Sequence, residues 1–512
     1  MLRNLALALL CFAAGSLSHL AMAPYNLAPV LFIGLPALFF ALQRTDKKKI
    51  YFLYTWLFSF GYFVFSLSWI SNALLVPGNE SFLWAYPLAL CGLPALLALF
   101  PAFTISFFAG RYDLEHLSGW FAFVTALVLS EVARGFLFTG FPWNNFAYAW
   151  AGVLPVAQVV SFGGLYFLTI LTIFWASTPA LYFLHKRDTS VLIIFVLSAL
   201  TFTGSYFWGL HRIKTEEVYG TPEIMVHMIQ PNVAQQDKWD GDKIEGHFKN
   251  LMELSEEALN NKFRGINLII WPETASVRSM LFKAENLTSF KKLLPENSKN
   301  YLLTGLLDGY RDNDQIVYTN SLAVFGPGQV LIDKYDKHHL VPFGEYIPFG
   351  QYIPIDPIVN FSGFQAGPGL RRIKVTDSLT ISPLICYEII FSGQTTPWRI
   401  PKRYKPNLIV NITNDAWYGD SAGPRQHLVQ AQYRAIESGL SVVRVANTGI
   451  SALISPLGGK LTEIPYGKRG YQSHPLILPL QNETYFAKFG HKISFALFLL
   501  IALGIYAFKK KR

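Results

Sequence analysis

A series of apolar runs, each long enough to cross a bilayer, constrains this chain more than any other feature. The 512 residues are 52% hydrophobic and only 15% charged, which argues against a simple soluble protein. A run of roughly 20 apolar residues can span the hydrocarbon core as a helix. Eight such runs predict a polytopic α-helical membrane protein with about eight spans: Leu5–Ala23, Leu27–Leu42, Ile50–Leu74, Phe82–Ala109, Trp120–Leu137, Val153–Leu184, Val191–Leu210 and Ile493–Phe508.

The first run also has the pattern of a secretory signal ending at Ala21-Met22-Ala23. We favour an uncleaved first span, and cleavage would not change the side on which the later segments lie.

Basic residues give the orientation of the spans. In an eight-span arrangement the clusters at Lys47–Lys49, Lys186-Arg187 and Lys509–Arg512 all fall on one side, which we expect to be cytoplasmic. Arg212 and Lys214 count against this orientation but are outnumbered. The long segment after the seventh span then faces outward, which in a bacterium with two membranes is the periplasm. Much of the net charge of +10 lies in these anchors, so no nucleic-acid partner is expected.

The segment between the seventh and eighth runs has the pattern of an aqueous α/β domain. We expect an N-terminal membrane domain of seven spans over 1–213, the outward domain over 214–488, and a last span with a basic tail over 489–512. Short apolar strands end in polar residues, and helices are predicted at Asp240–Asn261 and Arg425–Leu440. Strands covered on both faces by helices place a site at the strand ends. The strands in question are Ile224–Ile229, Asn267–Ile270, Tyr301–Leu307, Leu379–Ile385 and Leu408–Ile412.

Three residues at or just beyond strand ends can form an acyl-transfer site. Cys386 is the only cysteine outside the apolar runs, so this domain can form no internal disulfide. Glu273 follows Pro272, which restricts the backbone and aims the carboxylate, and Lys337 supplies an amine. Taken singly, Glu273 is more simply a cap of the next turn, Cys386 a buried core thiol and Lys337 a solvated loop lysine. Together, a carboxylate, an ammonium and a thiol can move a proton, stabilise an oxyanion and attack a carbonyl.

Polar neighbours extend this candidate site. Glu345 and Glu388 follow Lys337 and Cys386 closely, and either could orient the ammonium or be an ordinary surface acid. His338 and His339 suggest zinc, but no further Cys or His stands at ligand spacing, so neither a metal nor a cofactor is expected. For His427 we favour packing or capping of its helix.

The blocks Trp271-Pro272-Glu273, Tyr335–Glu345 and Ile385–Ile390 resemble the carbon-nitrogen hydrolase (nitrilase) superfamily. With Thr139–Trp143 and Thr413–Gly419 added, nearly the whole chain resembles the apolipoprotein N-acyltransferase family. The resemblance implies a nitrilase-like αββα sandwich on a membrane platform. It also implies two partners in the bilayer, a phospholipid acyl donor and a diacylated apolipoprotein acceptor whose N-terminal amine is acylated in the last step of lipoprotein maturation.

The resemblance also assigns roles to residues. Glu273 is the implied general base, Lys337 the oxyanion-stabilising amine and Cys386 the nucleophile. It places Glu345, Tyr387 and Glu388 at supporting positions, and Trp239 near the substrate entrance.

Residue chemistry adds two expectations to the site. The backbone N–H of Tyr387 is a second oxyanion donor. The aromatic-rich segment Pro342–Phe364 is expected to be a lipid-facing arm, because exposed apolar clusters usually mark interaction surfaces.

Two other functions remain open from the residues. A membrane-anchored amidase or nitrilase acting on a small soluble substrate would use the same three groups. A transporter with an appended binding domain would need paired charges within its spans, for which Glu131 and Arg134 are candidates.

Overall fold

The computed structural model describes 2–45, 47–184, 189–238, 240–260, 263–277, 281, 283–312, 315–348, 350, 352, 357–358, 363–395 and 405–508. The chain forms two compact units. The helical unit comprises Met1–Ser71, Trp84–Glu216 and Thr484–Arg512, and the α/β unit comprises Asn72–Leu83 and Glu217–Glu483. The predicted domain boundaries at 213/214 and 488/489 stay a prediction.

The helical unit is built from apolar helices. Its helices are α1 Leu2–Ser18, α2 Leu31–Gln43, α3 Lys48–Leu67, α4 Leu93–Leu97, α5 Leu99–Phe108, α6 Leu117–Phe136, α7 Leu154–Ala157, α8 Val160–Leu184, α9 Thr189–Thr215, α13 Tyr485–Phe489 and α14 Lys492–Ala507. Among the described residues, six helical stretches are long and apolar enough to cross a membrane: Leu2–Ala21, Lys48–Leu75, Leu88–Arg111, Leu117–Thr139, Val160–Leu181 and Thr189–Thr215. The second and eighth predicted spans correspond to shorter apolar helices, Ala28–Gln43 and Lys492–Ala507.

The predicted span Val153–Leu184 is not one regular helix. A short helix, α7, is followed by α8, and Gly164 within α8 has a non-helical backbone with φ of 79°. A Cβ at Gly164 would lie 2.2 Å from the Phe486 ring, so only glycine meets both the backbone and the space requirements.

Glu131 and Arg134 form a buried ion pair on α6, with 2.7 Å between Oε2 of Glu131 and Nη2 of Arg134. Arg134 also donates hydrogen bonds to the carbonyls of Phe141 and Trp143, at 2.5 and 2.6 Å. The pair therefore fixes the connection that follows α6, which accounts for both charges without a transport path.

The α/β unit contains two mixed sheets. The strands are β1 Gly220–Gln230, β2 Ile266–Ile270, β3 Ser276–Val277, β4 Asn300–Asp312, β5 Gln315–Phe325, β6 Leu331–Asp336, β7 Ile373–Lys374, β8 Thr380–Ile385, β9 Leu408–Thr413, β10 Ser441–Ala446, β11 Ser451–Ile454, β12 Lys460–Ile464 and β13 Gly470–Ile477. The first sheet has the order β13-β1-β2-β4-β5-β6, with β3 paired to β4, and the second has the order β12-β11-β10-β9-β8-β7. The centres are parallel, β1-β2-β4 in one sheet and β8-β9-β10 in the other.

The two sheets pack face to face, with helices on their outer sides. Val226, Leu268, Ile381 and Val410 belong to one buried apolar cluster that joins the sheets. A second cluster joins the outer face of the first sheet to α10, Ile244–Leu259, and α11, Ala284–Leu293. Helix α12, Ala422–Ser438, packs on the second sheet. The predicted αββα architecture is therefore confirmed.

One predicted strand end is wrong. The strand predicted to end at Leu307 continues as β4 through Asp312, and its antiparallel pairing with β5 extends to the Asp312–Gln315 pair. Asp308 and Gly309, which follow the predicted strand, pair with Thr319 and Tyr318 of β5 and so continue β4.

Candidate active site

Glu273, Lys337 and Cys386 are brought together at one edge of the sandwich. They follow β2, β6 and β8, and the exposed fractions of the three residues are 6%, 1% and 7%. The ammonium Nζ of Lys337 lies 3.6 Å from Oε1 of Glu273. Because strand ends of both packed sheets meet here, residues distant in sequence share one buried site.

The backbone around Glu273 is fixed on both sides. Trp271 is fully buried and donates from its indole to the Ser255 hydroxyl at 2.9 Å, while the N–H of Gly305 donates to the Pro272 carbonyl at 3.1 Å. A Cβ at Gly305 would lie 2.2 Å from that same carbonyl oxygen, so the close approach of β4 requires glycine. The Glu273 carboxylate is thereby held in one position.

Lys337 is held as a charged group. Its Nζ donates to Oε1 of Glu345 at 2.9 Å, and its backbone N–H donates to the Asn320 carbonyl at 2.8 Å. Burial by itself lowers the pKa of Lys337, but the carboxylates of Glu345 and Glu273 outweigh it and raise the pKa above its usual range. The side-chain amide of Asn320 donates to both carboxylates, at 2.7 Å to Glu273 and 3.1 Å to Glu345.

Cys386 lies at a sharp turn between β8 and a short 3₁₀ helix, Cys386–Ile390. Its φ of 52° is in the left-handed region, which a residue with a side chain adopts only when its surroundings impose it. Burial and the nearby Glu273 carboxylate raise the pKa of the Cys386 thiol to about 12, against an opposing effect of Lys337. The thiol is therefore protonated at neutral pH and needs a base in order to attack.

Glu388 connects the loop after Lys337 to the end of β8. Its Oε1 accepts from the Tyr335 hydroxyl at 2.7 Å, from the N–H and Nδ1 of His338 at 2.9 and 2.7 Å, and from the His339 N–H at 3.2 Å. Its other oxygen accepts from the Ile385 N–H at 2.8 Å. Burial raises the pKa of Glu388, but these hydrogen bonds prevail and lower it. Glu388 thus fixes the segment after Lys337 relative to the segment that carries Cys386.

The remaining predicted residues have different outcomes. The Tyr387 ring is buried and packs edge-on against His339 and Phe391, with ring centroids 5.6 and 5.3 Å apart. Trp239 lies outside the described residues. Within the described parts of the chain, no group of three or more His, Cys, Asp or Glu side chains could hold a metal ion.

Sequence reasoning missed Lys238 and Asn320. Lys238 is buried and donates from Nζ to the Glu273 carbonyl at 3.0 Å and to the Thr274 hydroxyl. Burial lowers the pKa of Lys238 to about 8. It borders a cleft that Glu273, Ile244 and Leu251 also line. The block Lys238-Trp239-Asp240 marks this position in the sequence, but only its tryptophan was singled out there.

The predicted arm begins beside the site and exposes large apolar side chains. Of its described residues, Phe343 is 57% and Tyr352 77% exposed. The arm is tied down at Glu345, whose backbone N–H donates to the Val341 carbonyl and whose carbonyl accepts from the Phe364 N–H, both at 2.9 Å. One short segment therefore carries both the carboxylate that holds Lys337 and an exposed aromatic surface.

Two packed sheets between helices, with a thiol, a carboxylate and an ammonium at the strand ends, define a carbon-nitrogen hydrolase fold. The carbon-nitrogen hydrolase family model matches residues 229–478, and the model of the apolipoprotein N-acyltransferase N-terminal domain matches residues 14–178.

Relatives match over almost the whole length. The chain is 33% identical to the apolipoprotein N-acyltransferase of Rhodopseudomonas palustris, over 98% of this chain and 95% of that protein. It is 35% identical to that of Brucella melitensis, over 88% and 86% of the two chains. Among solved structures, Saccharomyces cerevisiae Nit3, a nitrilase superfamily member, aligns with 50% of this chain and 90% of its own, at 16% identity and a TM-score of 0.35. The chain belongs to the apolipoprotein N-acyltransferase family and is a multi-pass membrane protein.

Proposed function

We propose that this protein transfers an acyl chain from a phospholipid to the N-terminal amine of a diacylated apolipoprotein, through a thioester on Cys386. The observation that carries the proposal is a buried thiol that shares its site with the Glu273 carboxylate and the Lys337 ammonium. Membership of the apolipoprotein N-acyltransferase family supports the choice of donor and acceptor.

The first half-reaction acylates the thiol. Glu273 takes the Cys386 proton while the sulfur attacks the ester carbonyl of the phospholipid, so a C–S bond forms and the carbonyl oxygen becomes an oxyanion. Lys337 and the Tyr387 backbone N–H stabilise that oxyanion. When the intermediate collapses, the ester C–O bond breaks and the lysophospholipid leaves with the proton from Glu273.

The second half-reaction transfers the acyl group to nitrogen. The N-terminal amine of the apolipoprotein attacks the thioester carbonyl, and Glu273 accepts one amine proton. A C–N bond forms, the C–S bond breaks, and the proton returns to the Cys386 sulfur. Because both substrates react through one covalent intermediate, the kinetics should be ping-pong.

The supporting residues act through these three groups. Glu345 holds the Lys337 ammonium at 2.9 Å, which leaves Glu273 available to receive a proton. Glu388 fixes the segments that carry the amine and the thiol. Trp239 and the arm Pro342–Phe364 contact the lipid substrates, and the exposed Phe343 and Tyr352 side chains support this role for the arm.

The proposed location is the bacterial inner membrane, with the catalytic domain at 214–488 facing the periplasm. The basic clusters at Lys47–Lys49 and Lys186-Arg187 support a cytoplasmic side for those connections. The acceptor is a translocated lipoprotein, so the site must face outward to meet it.

The test is mass spectrometry of the N-terminus of one purified lipoprotein, from cells with the protein, cells depleted of it, and depleted cells that express Cys386→Ser. We expect an N-acylated cysteine only with the wild-type protein. A lipoprotein that is N-acylated without the protein would overturn the proposal. Wild-type protein that leaves the amine unmodified but hydrolyses a small soluble amide to its acid would instead indicate the amidase alternative.

A further inference from the structure

A buried charged cluster lies directly behind Cys386. Asp415, His427 and Arg444 are each 0% exposed. Asp415 begins the short 3₁₀ helix Asp415–Tyr418 just after β9, His427 lies on α12 and Arg444 lies on β10. We call these three residues the His427 cluster. From the sequence, His427 was expected to pack or cap its helix, but in the structure its ring joins the nucleophile's own backbone to two buried charges.

Arg444 fixes the position of Asp415 within the His427 cluster. Its guanidinium donates to Oδ2 of Asp415 at 2.5 Å and to Oδ1 of Asn411 at 2.7 Å. Burial raises the pKa of Asp415, but the Arg444 guanidinium holds it well below its usual range, so the carboxylate stays charged. Gly449 permits this packing, because a Cβ there would lie 2.3 Å from Oδ2 of Asp415.

His427 connects the cluster to the backbone of Cys386. Its Nε2 lies 3.2 Å from the Cys386 carbonyl oxygen. A carbonyl oxygen can only accept, so Nε2 must carry the proton for this contact to be favourable. Burial and Arg444 lower the pKa of His427, which favours the neutral ring. In the neutral ring, Nδ1 accepts a hydrogen bond from the Arg444 guanidinium at 3.2 Å. In the charged ring, Nδ1 donates to Oδ1 of Asp415 at 3.0 Å.

The contact with the Cys386 carbonyl sets the direction of the next N–H. In a planar trans peptide the carbonyl and the following N–H point in opposite directions. Anchoring the Cys386 carbonyl against the cluster therefore turns the Tyr387 N–H away from it. The preceding backbone is held as well, because Asn411 donates to the Leu384 carbonyl at 3.1 Å and Glu388 accepts from the Ile385 N–H.

We propose that His427 is a positioning residue that keeps the Cys386–Tyr387 peptide in the orientation that aims the Tyr387 N–H at the reacting carbonyl. This inference rests on the proposed function, in which that N–H stabilises the oxyanion. It also explains the buried charges of Asp415 and Arg444, because these two residues fix the His427 ring, and that ring holds the Cys386–Tyr387 peptide. The left-handed backbone of Cys386 is the conformation that this anchoring maintains.

The test compares His427→Gln with His427→Asn in the full-length protein in phospholipid bilayers. The side-chain amide of glutamine can reach the position of Nε2 and donate to the Cys386 carbonyl, whereas asparagine is too short to do so. Gln432→Ala, a partly exposed position on the same helix, is the control. The readouts are the rate constant and the half-saturating phospholipid concentration for acylation of Cys386, followed by mass spectrometry, together with the melting temperature.

We expect His427→Asn to lower the rate constant on the order of a hundredfold, as the loss of an oxyanion donor does. The half-saturating concentration should stay unchanged, because the donor acts in the transition state. His427→Gln should be faster than His427→Asn by at least roughly tenfold. Equal rates for the two variants, or a change in half-saturation alone, would overturn the proposal.

If His427→Asn is not recovered as a folded protein, Asp415→Asn provides the second test. It keeps the side-chain shape but removes the charge that fixes His427, and we expect slower acylation. A wild-type rate for Asp415→Asn would contradict the proposal. Failure of the wild-type protein to acylate Cys386 at all would instead overturn the proposed function, so the two failures are distinguishable.

Discussion

Glu345 lies closer to the Lys337 ammonium than Glu273 does, since Oε1 of Glu345 is 2.9 Å from Nζ of Lys337 and Oε1 of Glu273 is 3.6 Å away. Both acids are almost fully buried. A single carboxylate could not easily neutralise the ammonium and also accept a proton from the thiol. In the proposed mechanism the second carboxylate separates these tasks: Glu345 serves as a permanent counter-charge and Glu273 serves as the base.

Glu345→Gln should therefore slow acylation of Cys386 without abolishing it. A hydrogen bond to a charged group contributes about 1.5–3 kcal/mol. Its loss corresponds to a rate reduction of roughly tenfold to a hundredfold. The measurement is the single-turnover rate of adduct formation, with Glu463→Gln on the exposed strand β12 as the control. An unchanged rate in Glu345→Gln would show that the counter-charge is dispensable.

The pH dependence of thiol alkylation should reveal the raised pKa of Cys386. With a thiol pKa of about 12, the thiolate fraction keeps rising through pH 7 to 10, because this whole range lies below the pKa. Iodoacetamide labelling of Cys386 should accordingly accelerate across that range without a plateau near pH 9. A plateau there would mean that the thiol has an ordinary pKa.

Glu273→Gln should change alkylation and acylation in opposite directions. The Glu273 carboxylate is one of the groups that raise the thiol pKa, so its removal lowers that pKa and speeds alkylation at a fixed pH. The same substitution removes the proposed base, so acylation by phospholipid should be lost. If alkylation slowed instead, the carboxylate would not be raising the thiol pKa.

Glu388→Gln should destabilise the protein. The carboxylate accepts from backbone N–H groups on both sides of the site, and an amide must present its NH₂ to one of these donors. A buried unsatisfied donor costs about 1–3 kcal/mol, so the free energy of unfolding should fall by that amount. Thermal unfolding in detergent measures the effect, with Glu253→Gln on the exposed face of α10 as the control. Equal melting temperatures for wild type and Glu388→Gln would refute the bridging role.

Reporter fusions test the proposed orientation. Alkaline phosphatase, active only outside the cytoplasm, should be active when joined after Thr215 and inactive when joined after Arg512, because the basic clusters favour the cytoplasmic side. Activity at Arg512, or none after Thr215, would invert the topology and separate the thiol from a translocated acceptor.

The fold and the membrane segments were largely predictable from the sequence. Apolar runs and strand-ending polar residues are local signals, and they led to the membrane spans, to an α/β domain and to the grouping of Glu273, Lys337 and Cys386. The αββα sandwich was implied by the family resemblance. The break at Gly164 was missed because hydropathy reports only that a segment is apolar, and backbone φ does not enter it.

The parts of the site that were missed depend on tertiary contacts. Asn320 lies in the middle of β5, and only the packed structure shows its amide between two carboxylates. His427 was assigned to its own helix because the sequence gives no sign that Nε2 reaches a carbonyl 41 residues away. Likewise, the sequence gives no sign that Nζ of Lys238 reaches the Glu273 carbonyl.

The covalent intermediate is the central claim, and intact-protein mass spectrometry after incubation with phospholipid alone tests it most directly. We predict a fatty-acyl adduct that peptide mapping places on Cys386 in the wild-type protein. The adduct should be absent in Cys386→Ala and strongly reduced in Lys337→Ala, by about a hundred- to a thousand-fold in rate. An adduct on another residue, or transfer activity retained by Cys386→Ala, would contradict the account.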